Sequence, residues 1–177
     1  MISKCLNKDL YFSQRKLNKM DVVFRKGEKV DMPSVHKLIK ELASFENEAD
    51  AVDVTIEELE KDGFGTKPLF NIFVAELRSE IVGMALFYSR YSTWKGPTIH
   101  LEDLIVTKEK RGLKIGSTLY KMVLEYAYEK GVKRVEWAVL DWNEPAIKFY
   151  ESTGATVLRD WDTAQIHTEA LKKYLNK

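Results

Sequence analysis

The stretch that decides the fold is HLEDLIVTKEKRGLKIGS, residues 100–117. Its first part, residues 101–106, has the length and the apolar end of a strand. Apolar side chains then recur at helical spacing from Ile115 to Ala127, which predicts a helix that packs by one face. Residues 108–117 therefore form a turn, here called the basic turn, which leads from a strand to the N-terminus of a helix.

The basic turn has the features of an anion-binding site. The first N–H groups of a helix lack intrahelical acceptors and carry a partial positive charge. Gly112 and Gly116 would let a phosphate group come close to the backbone. Four basic side chains reinforce the positive sign, namely Lys108, Lys110, Arg111 and Lys114. The alternative interpretation is an ordinary basic loop between a strand and a helix.

Outward from this stretch, patterning predicts an α+β (mixed α/β) fold. On the N-terminal side we expect a strand at 22–25 and then two helices, which begin near Asp31 and Thr55. The second helix should end at 62–63, and a hairpin of strands 70–77 and 81–88 should follow it. On the C-terminal side we expect the helix after the basic turn to end at Gly131, a strand at 132–140 and a helix from Pro145 to about Gly154. Closing strands at 155–158 and 164–167 and a helical tail after Thr168 should complete the chain. Adjacent strands with flanking helices are typical of this class.

Length and composition indicate one globular domain. The chain has 177 residues, 45% apolar and 31% charged, which is enough to bury a core without metals or disulfides. We expect residues 20–177 to form this single domain. Residues 1–19 are polar and mildly basic without clear periodicity, so we expect an N-terminal extension that is disordered, an upstream start or a targeting remnant.

Charge and cysteine content argue against several classes of function. A formal net charge of +1 argues against a general nucleic-acid partner. Cys5 is the only cysteine, and no Cys or His pair at ligand spacing indicates a metal site. No apolar run has the length of a membrane span or of a signal peptide. We therefore expect a cytoplasmic protein with neither a metal nor a membrane partner.

The acidic residues are concentrated in one region. Residues 41–62 contain nine acidic residues and one base, Lys61. Such a region either attracts a cationic ligand or is the solvated face of a helix.

Neither a Walker loop nor a G-x-G-x-x-G fingerprint is present, which argues against nucleotide hydrolysis and hydride transfer. Residues 111–116, Arg-Gly-Leu-Lys-Ile-Gly, resemble the acyl-CoA-binding motif of the GNAT superfamily of N-acetyltransferases, Gln/Arg-x-x-Gly-x-Gly/Ala, with Lys114 where the family usually has its first glycine. Over about residues 22–161 the chain resembles the diamine (spermidine/spermine) acetyltransferase branch, in four stretches: 38–43, 61–65, 100–103 and 139–150. Residues 138–143 are also similar to the thialysine-acetylating relatives.

The resemblance implies a central mixed, mostly antiparallel sheet whose central strands splay apart near a bulge and hold acyl-CoA. The implied co-substrate is acetyl-CoA. The implied cofactor-binding residues are Leu104, Ile105, Val106, Arg111, Gly112, Leu113, Lys114, Ile115, Gly116, Ser117 and Asn143. For Asn143 the alternative is a helix cap alone.

The implied reaction is direct aminolysis of the thioester. Tyr150 matches the family's general acid, which protonates the departing thiolate, and Glu102 is the candidate base, acting through water. The alternatives are core packing for Tyr150 and a solvated or salt-bridged strand pair for Glu102 and Asp103. His100 is a further candidate base, whereas His36 and His167 are interpreted as structural.

The resemblance places the amine acceptor against Phe45, Glu46, Trp94, Glu102 and Asp103. Glu46 would hold a remote ammonium and Trp94 would offer a cation–π face. Ser92 replaces an acidic residue typical of the polyamine enzymes, so the acceptor stays open between a diamine, a polyamine and an aminoalkyl amino acid. A homodimer is also implied. The competing hypotheses are a non-catalytic acyl-CoA-binding module and a protein or peptide N-acetyltransferase.

Overall fold

The computed structural model describes residues 22–176. The extension expected at residues 1–19 lies outside this range. The chain divides after Trp137 into two compact units, and the expected single domain over residues 20–177 stays a prediction. Neither unit contains a helix with the length and apolar character of a membrane span within the described residues.

The first unit is built on one five-stranded sheet in the order β1-β2-β3-β4-β5. The strands are β1 (Val22–Lys26), β2 (Asn71–Leu77), β3 (Glu80–Ser92), β4 (Gly96–Val106) and β5 (Val135–Glu136). Neighbouring strands pair antiparallel, except that β4 and β5 are parallel. With its helices α1 (Met32–Phe45), α2 (Ile56–Phe64) and α3 (Ile115–Glu129), this unit confirms the predicted mixed α/β class.

The sheet is covered on both faces, so its middle strand β3 lies between two layers of helices. On one face the buried residues Val35 and Leu38 of α1 and Leu59 of α2 form a cluster with Met84 and other sheet residues. On the other face Tyr126 of α3 lies edge-on to Phe87, with ring centroids 5.0 Å apart. Burial stabilises such side chains by about 1.5–3 kcal/mol each.

The strand β4 is irregular in two ways, with a bulge in its pairing with β3 and a very short pairing with β5. Leu101 pairs with Phe87 and Asp103 pairs with Leu86, so Glu102 is an extra residue in a β-bulge. The ladder to β5 contains only the pairs Ile99↔Val135 and His100↔Glu136. The predicted strand at 132–140 is therefore wrong in length, because the bulge interrupts the register directly after the last pair. From residue 101 onward, the edge of β4 opposite β3 has no ladder to β5.

Two other boundaries differ from expectation. The second helix does not end at 62–63 but continues to Phe64 with Gly65 as its C-cap. The helix has a glycine at Gly63 because the Phe70 ring lies against it, and the Cβ of any other residue would come within 2.5 Å of that ring. The hairpin strand β3 continues to Ser92, because β4 continues to pair with it through Gly96.

The second unit contains α4 (Glu144–Ser152) and α5 (Thr168–Tyr174). The closing strands expected at 155–158 and 164–167 are wrong, since neither segment is a strand. A strand needs a neighbour that takes its backbone hydrogen bonds, and no strand lies within residues 138–176 to do so. The helical tail expected after Thr168 is confirmed as α5.

Candidate active site

Three carboxylates lie within electrostatic reach of one another beside the bulge of β4. Glu46 is the C-cap residue of α1, and Glu102 and Asp103 are consecutive on β4. The side chain of Glu102 is 51% exposed, whereas Asp103 is half-buried. We call Glu46, Glu102 and Asp103 the acidic cluster.

The acidic cluster is electrostatically coupled. Burial, followed by the charges of Glu102 and Glu46, raises the pKa of Asp103 to about 6. Partial desolvation at the end of α1 also raises the pKa of Glu46. Like charges held close together disfavour ionisation, so a bound cation would relieve their repulsion.

The raised pKa of Asp103 predicts a pH-dependent stability. Because its pKa is about 6 in the folded state and 3.8 in the unfolded reference, the folded state holds the proton more tightly. Its contribution to the free energy of unfolding is therefore greatest below pH 4 and is lost as the pH rises to about 6. We expect Asp103→Asn to stabilise the protein at pH 7.5 by about 1–3 kcal/mol.

Urea unfolding at pH 4.5 and pH 7.5 measures this effect. The Asp103→Asn variant should lose less stability between the two pH values than the wild type does. Asp53→Asn is the matched control, because Asp53 is exposed. Equal pH dependence in wild type and Asp103→Asn would contradict the coupling.

The basic turn presents a row of unengaged amides. No described residue accepts the N–H groups of residues 113–117, and the first such amide bond of α3 is that of Thr118 to the Lys114 carbonyl. Gly112 has a φ of 81° and Lys114 a φ of 62°, so both lie in the left-handed region. Unengaged amides beside left-handed residues are the backbone features that phosphate-binding turns have.

The conformation of Lys114 explains why a glycine suits that position. A non-glycine residue in the left-handed region costs about 1–2 kcal/mol, and Lys114 is the N-cap residue of α3. We expect Lys114→Gly to raise the free energy of unfolding by about 1 kcal/mol, measured by thermal unfolding. The control Lys110→Gly removes the same charge at a residue without positive φ, and it should destabilise. A loss of stability in both variants would contradict this explanation.

The basic turn is tied to the end of α1. Glu41 accepts hydrogen bonds from the Lys108 amide and the Thr107 hydroxyl, each at 2.8 Å. The guanidinium of Arg111 lies 5.2 Å from the centre of the Phe45 ring, and its Nε donates to the Val106 carbonyl at 3.1 Å. A predicted acceptor residue, Phe45, thus contacts a predicted cofactor residue. Sequence patterning does not single out Glu41, which is one of nine acidic residues in its region.

Trp94 is not brought to the acidic cluster within one chain. It lies at the tip of the β3–β4 hairpin, 79% exposed. The strand from Gly96 to Glu102 spans about 20 Å at the usual rise per residue. The Ser92 hydroxyl accepts hydrogen bonds from the Trp94 and Lys95 amides at 3.2 and 3.3 Å, so Ser92 shapes the hairpin turn.

In the second unit, α4 begins as predicted. The Asn143 side chain accepts a hydrogen bond from the Ala146 amide at 3.3 Å and caps the helix. Tyr150 is a buried residue of the same helix. The cap is a structural role for Asn143, and the cofactor contact of Asn143 and the acid role of Tyr150 stay predictions.

Comparison with known proteins gives the family to which this chain belongs. The model of the Acetyltransferase (GNAT) family matches residues 33–155. The chain belongs to that family. The acetyltransferase is 38% identical to the thialysine N-epsilon-acetyltransferase of Bos taurus, over 88% of this chain and 98% of the relative. It is 35% identical to the human spermidine/spermine N(1)-acetyltransferase-like protein 1, over 83% of this chain and 23% of the relative.

A solved structure shares the fold of the acetyltransferase. The aminoglycoside N-acetyltransferase AAC(6')-Iy in complex with CoA superposes with a TM-score of 0.65, at 16% identity, over 82% of this chain and 94% of that one. Family membership shows that the acetyltransferase is an N-acetyltransferase enzyme and not a binding module alone. Within residues 22–176 no group of three or more His, Cys, Asp or Glu side chains is arranged to hold a metal ion.

Proposed function

We propose that this enzyme transfers the acetyl group of acetyl-CoA to a primary amine of a small cationic acceptor. The observation that carries the proposal is the acidic cluster, three carboxylates beside the bulge of a strand whose outer edge has no ladder to β5. Relatives named for acetylating thialysine and spermidine or spermine support this acceptor class.

The first unit has two features that fit acetyl-CoA. Unengaged amides at residues 113–117 and the basic side chains around them would bind the diphosphate. The edge of β4 at Leu104, Ile105 and Val106 would pair with the amides of the pantetheine arm, as an added strand does. The fold relative solved with CoA supports this assignment. Acetyl-CoA supplies the thioester that the amine attacks.

In the proposed reaction, Glu102 accepts a proton and Tyr150 donates one. An alkylammonium with a pKa near 10 is only about 0.1% free base at neutral pH, which costs about 4 kcal/mol. Glu102, reached by solvent, takes that proton through water. The amine nitrogen then bonds to the acetyl carbon while the carbon–sulfur bond breaks, and Tyr150 protonates the departing thiolate. The nitrogen loses its second proton as the amide forms, and that proton restores the phenol of Tyr150 by way of solvent.

Charge in the acidic cluster selects the acceptor. Glu46 and Asp103 would attract a second ammonium of the same molecule, which a monoamine lacks. We therefore infer a diamine, a polyamine or an aminoalkyl amino acid as the acceptor. A thiol-release assay with a panel of acceptors tests this inference.

The panel pairs each diamine with the monoamine of equal length. A kcat/KM at least tenfold higher for the diamine, equivalent to about 1.4 kcal/mol, would support the proposal. Equal values would contradict the role of the cluster. Lysine-rich peptides belong in the same panel, because a clear preference for them would show a peptide N-acetyltransferase instead.

We further propose a cytoplasmic homodimer in which Trp94 of a second copy completes the acceptor site. The support is the exposed position of Trp94, about 20 Å along the hairpin from Glu102. Mixing inactive Glu102→Gln and Trp94→Ala proteins, with subunit exchange, should restore about a quarter of the wild-type sites. No restored activity, or a monomer by light scattering, would contradict it.

A further inference from the structure

We infer that Tyr88 and His100 are positioning residues, which hold the Glu102 carboxylate in the direction needed to take the acceptor's proton. This inference rests on the proposed function. Neither Tyr88 nor the contact between His100 and Glu102 is signalled by the sequence alone. The strand pairing of β3 with β4 creates both.

The geometry joins three side chains at the bulge. Tyr88 on β3 and His100 on β4 are direct partners in the ladder, and their ring centroids are 5.2 Å apart. His100 Nε2 lies 3.5 Å from Glu102 Oε2. Burial, followed by the neighbouring Glu102 carboxylate acting as hydrogen-bond acceptor and as a charge, raises the pKa of the Tyr88 hydroxyl. Two strands thus place one side chain each, both able to donate a hydrogen bond, beside a single carboxylate.

Glu102 depends on these donors for its orientation. As the extra residue of the bulge it has no partner in the ladder, and its side chain is 51% exposed. An exposed glutamate has several rotamers of similar energy, and a base must lie within hydrogen-bond reach of the proton that it takes. Hydrogen bonds donated by Tyr88 and His100 would therefore restrict the rotamers of a carboxylate that the strand pairing does not hold.

The surroundings of His100 select the proton-bearing nitrogen. Its Nδ1 is buried and has no hydrogen-bond partner among the described residues, so a proton on Nδ1 would have no acceptor there. The tautomer with the proton on Nε2 donates to Glu102 instead. His100 in this state is a neutral donor that a glutamine side chain can imitate.

The neighbouring charges leave Glu102 as the acceptor for both donors. Glu136, the ladder partner of His100 on β5, is engaged by Arg90 at 2.9 Å and by Arg134 at 3.0 Å. Asp103 follows Glu102 on the same strand, and Glu46 approaches from α1. Within the described part of the chain, no ion pair or hydrogen bond joins either of these two carboxylates to His100 or Tyr88, so they add charge without competing for the donors.

The test compares substitutions at His100 that place an amide donor at different points. Gln reaches the Nε2 position and Asn reaches only the Nδ1 position. We expect His100→Gln to keep kcat within about threefold of the wild type. We expect His100→Asn and Tyr88→Phe each to lower kcat by about tenfold or more, with the KM for acetyl-CoA unchanged.

Coupling to Glu102 separates positioning from a general structural role. In the Glu102→Gln background, His100→Asn should cause no further loss of kcat, because its effect acts through that carboxylate. His36→Asn and Tyr91→Phe are matched controls, since His36 bonds to the Val54 carbonyl and Tyr91 is 74% exposed. Both should retain wild-type kcat.

The outcomes are distinguishable. Wild-type kcat in both His100→Asn and Tyr88→Phe, or a full additional loss in the Glu102→Gln background, would overturn the positioning role while leaving the proposed function intact. If thermal unfolding shows that His100→Asn is misfolded, the kcat of Tyr88→Phe decides the test, because this substitution removes only a hydroxyl. Absence of acceptor-dependent activity in the wild type would instead overturn the proposed function.

Discussion

Glu102→Gln is expected to lower kcat/KM for the amine by about 10²–10³-fold at pH 7. The amide keeps the size of the side chain but cannot take a proton, and general-base catalysis contributes about 10²–10⁴-fold in enzymes. Glu102 has the exposure that contact with water requires. Steady-state thiol release with the best acceptor of the panel measures the loss.

The pH dependence of the variant identifies the missing step. Without a base, only the free amine reacts, so kcat/KM of Glu102→Gln should rise by about tenfold per pH unit below the acceptor's own pKa near 10. Glu125→Gln is the matched control, because Glu125 lies on the exposed side of α3, paired with Lys121. Near wild-type activity of Glu102→Gln at pH 7 would remove Glu102 as the base.

Tyr150→Phe is expected to lower kcat by at least tenfold, with the affinity for acetyl-CoA nearly unchanged. The variant removes one hydroxyl from a buried residue of α4 and leaves the ring in place. The departing thiolate then has no phenol to protonate it, whereas the contacts that bind the cofactor remain. Rapid-quench turnover gives kcat, and calorimetric titration with CoA gives the affinity.

The control for Tyr150 is a tyrosine of the same unit. Tyr174 is 79% exposed near the end of the chain, so Tyr174→Phe should turn over like the wild type. Wild-type turnover in Tyr150→Phe would remove that residue from the mechanism. A loss of affinity equal to the loss of kcat/KM would indicate a packing role, the alternative that the sequence left open.

Local chemistry explains which features could be predicted. The β4 strand, the basic turn and the capped start of α4 at Asn143 each depend on residues within a few positions, and the structure has all three. The acidic cluster was predicted in part, because the resemblance named its three members. Their coupling depends on how α1 packs against β4, which no local pattern contains.

Features that depend on distant pairing were not predictable in the same way. The strand expected at 132–140 has the right side chains, but its length is limited by the bulge at Glu102 on another strand. The segments 155–158 and 164–167 have strand-like residues but no neighbouring strand in their unit. In the sequence pattern Tyr88 is one of several aromatic residues in a strand. Only its pairing with His100 of β4 shows that it lies on the same strand pair as Glu102.

Counting both products of one reaction measures acetyl transfer most directly. The full chain is incubated with acetyl-CoA and a diamine, and free CoA and N-acetylated diamine are quantified by mass spectrometry against reactions that lack either the protein or the acceptor. We predict one CoA released for each acetylated amine, with release dependent on the acceptor. CoA release that is the same without acceptor, or binding of acetyl-CoA with no acetylated product from any amine, would contradict an amine N-acetyltransferase.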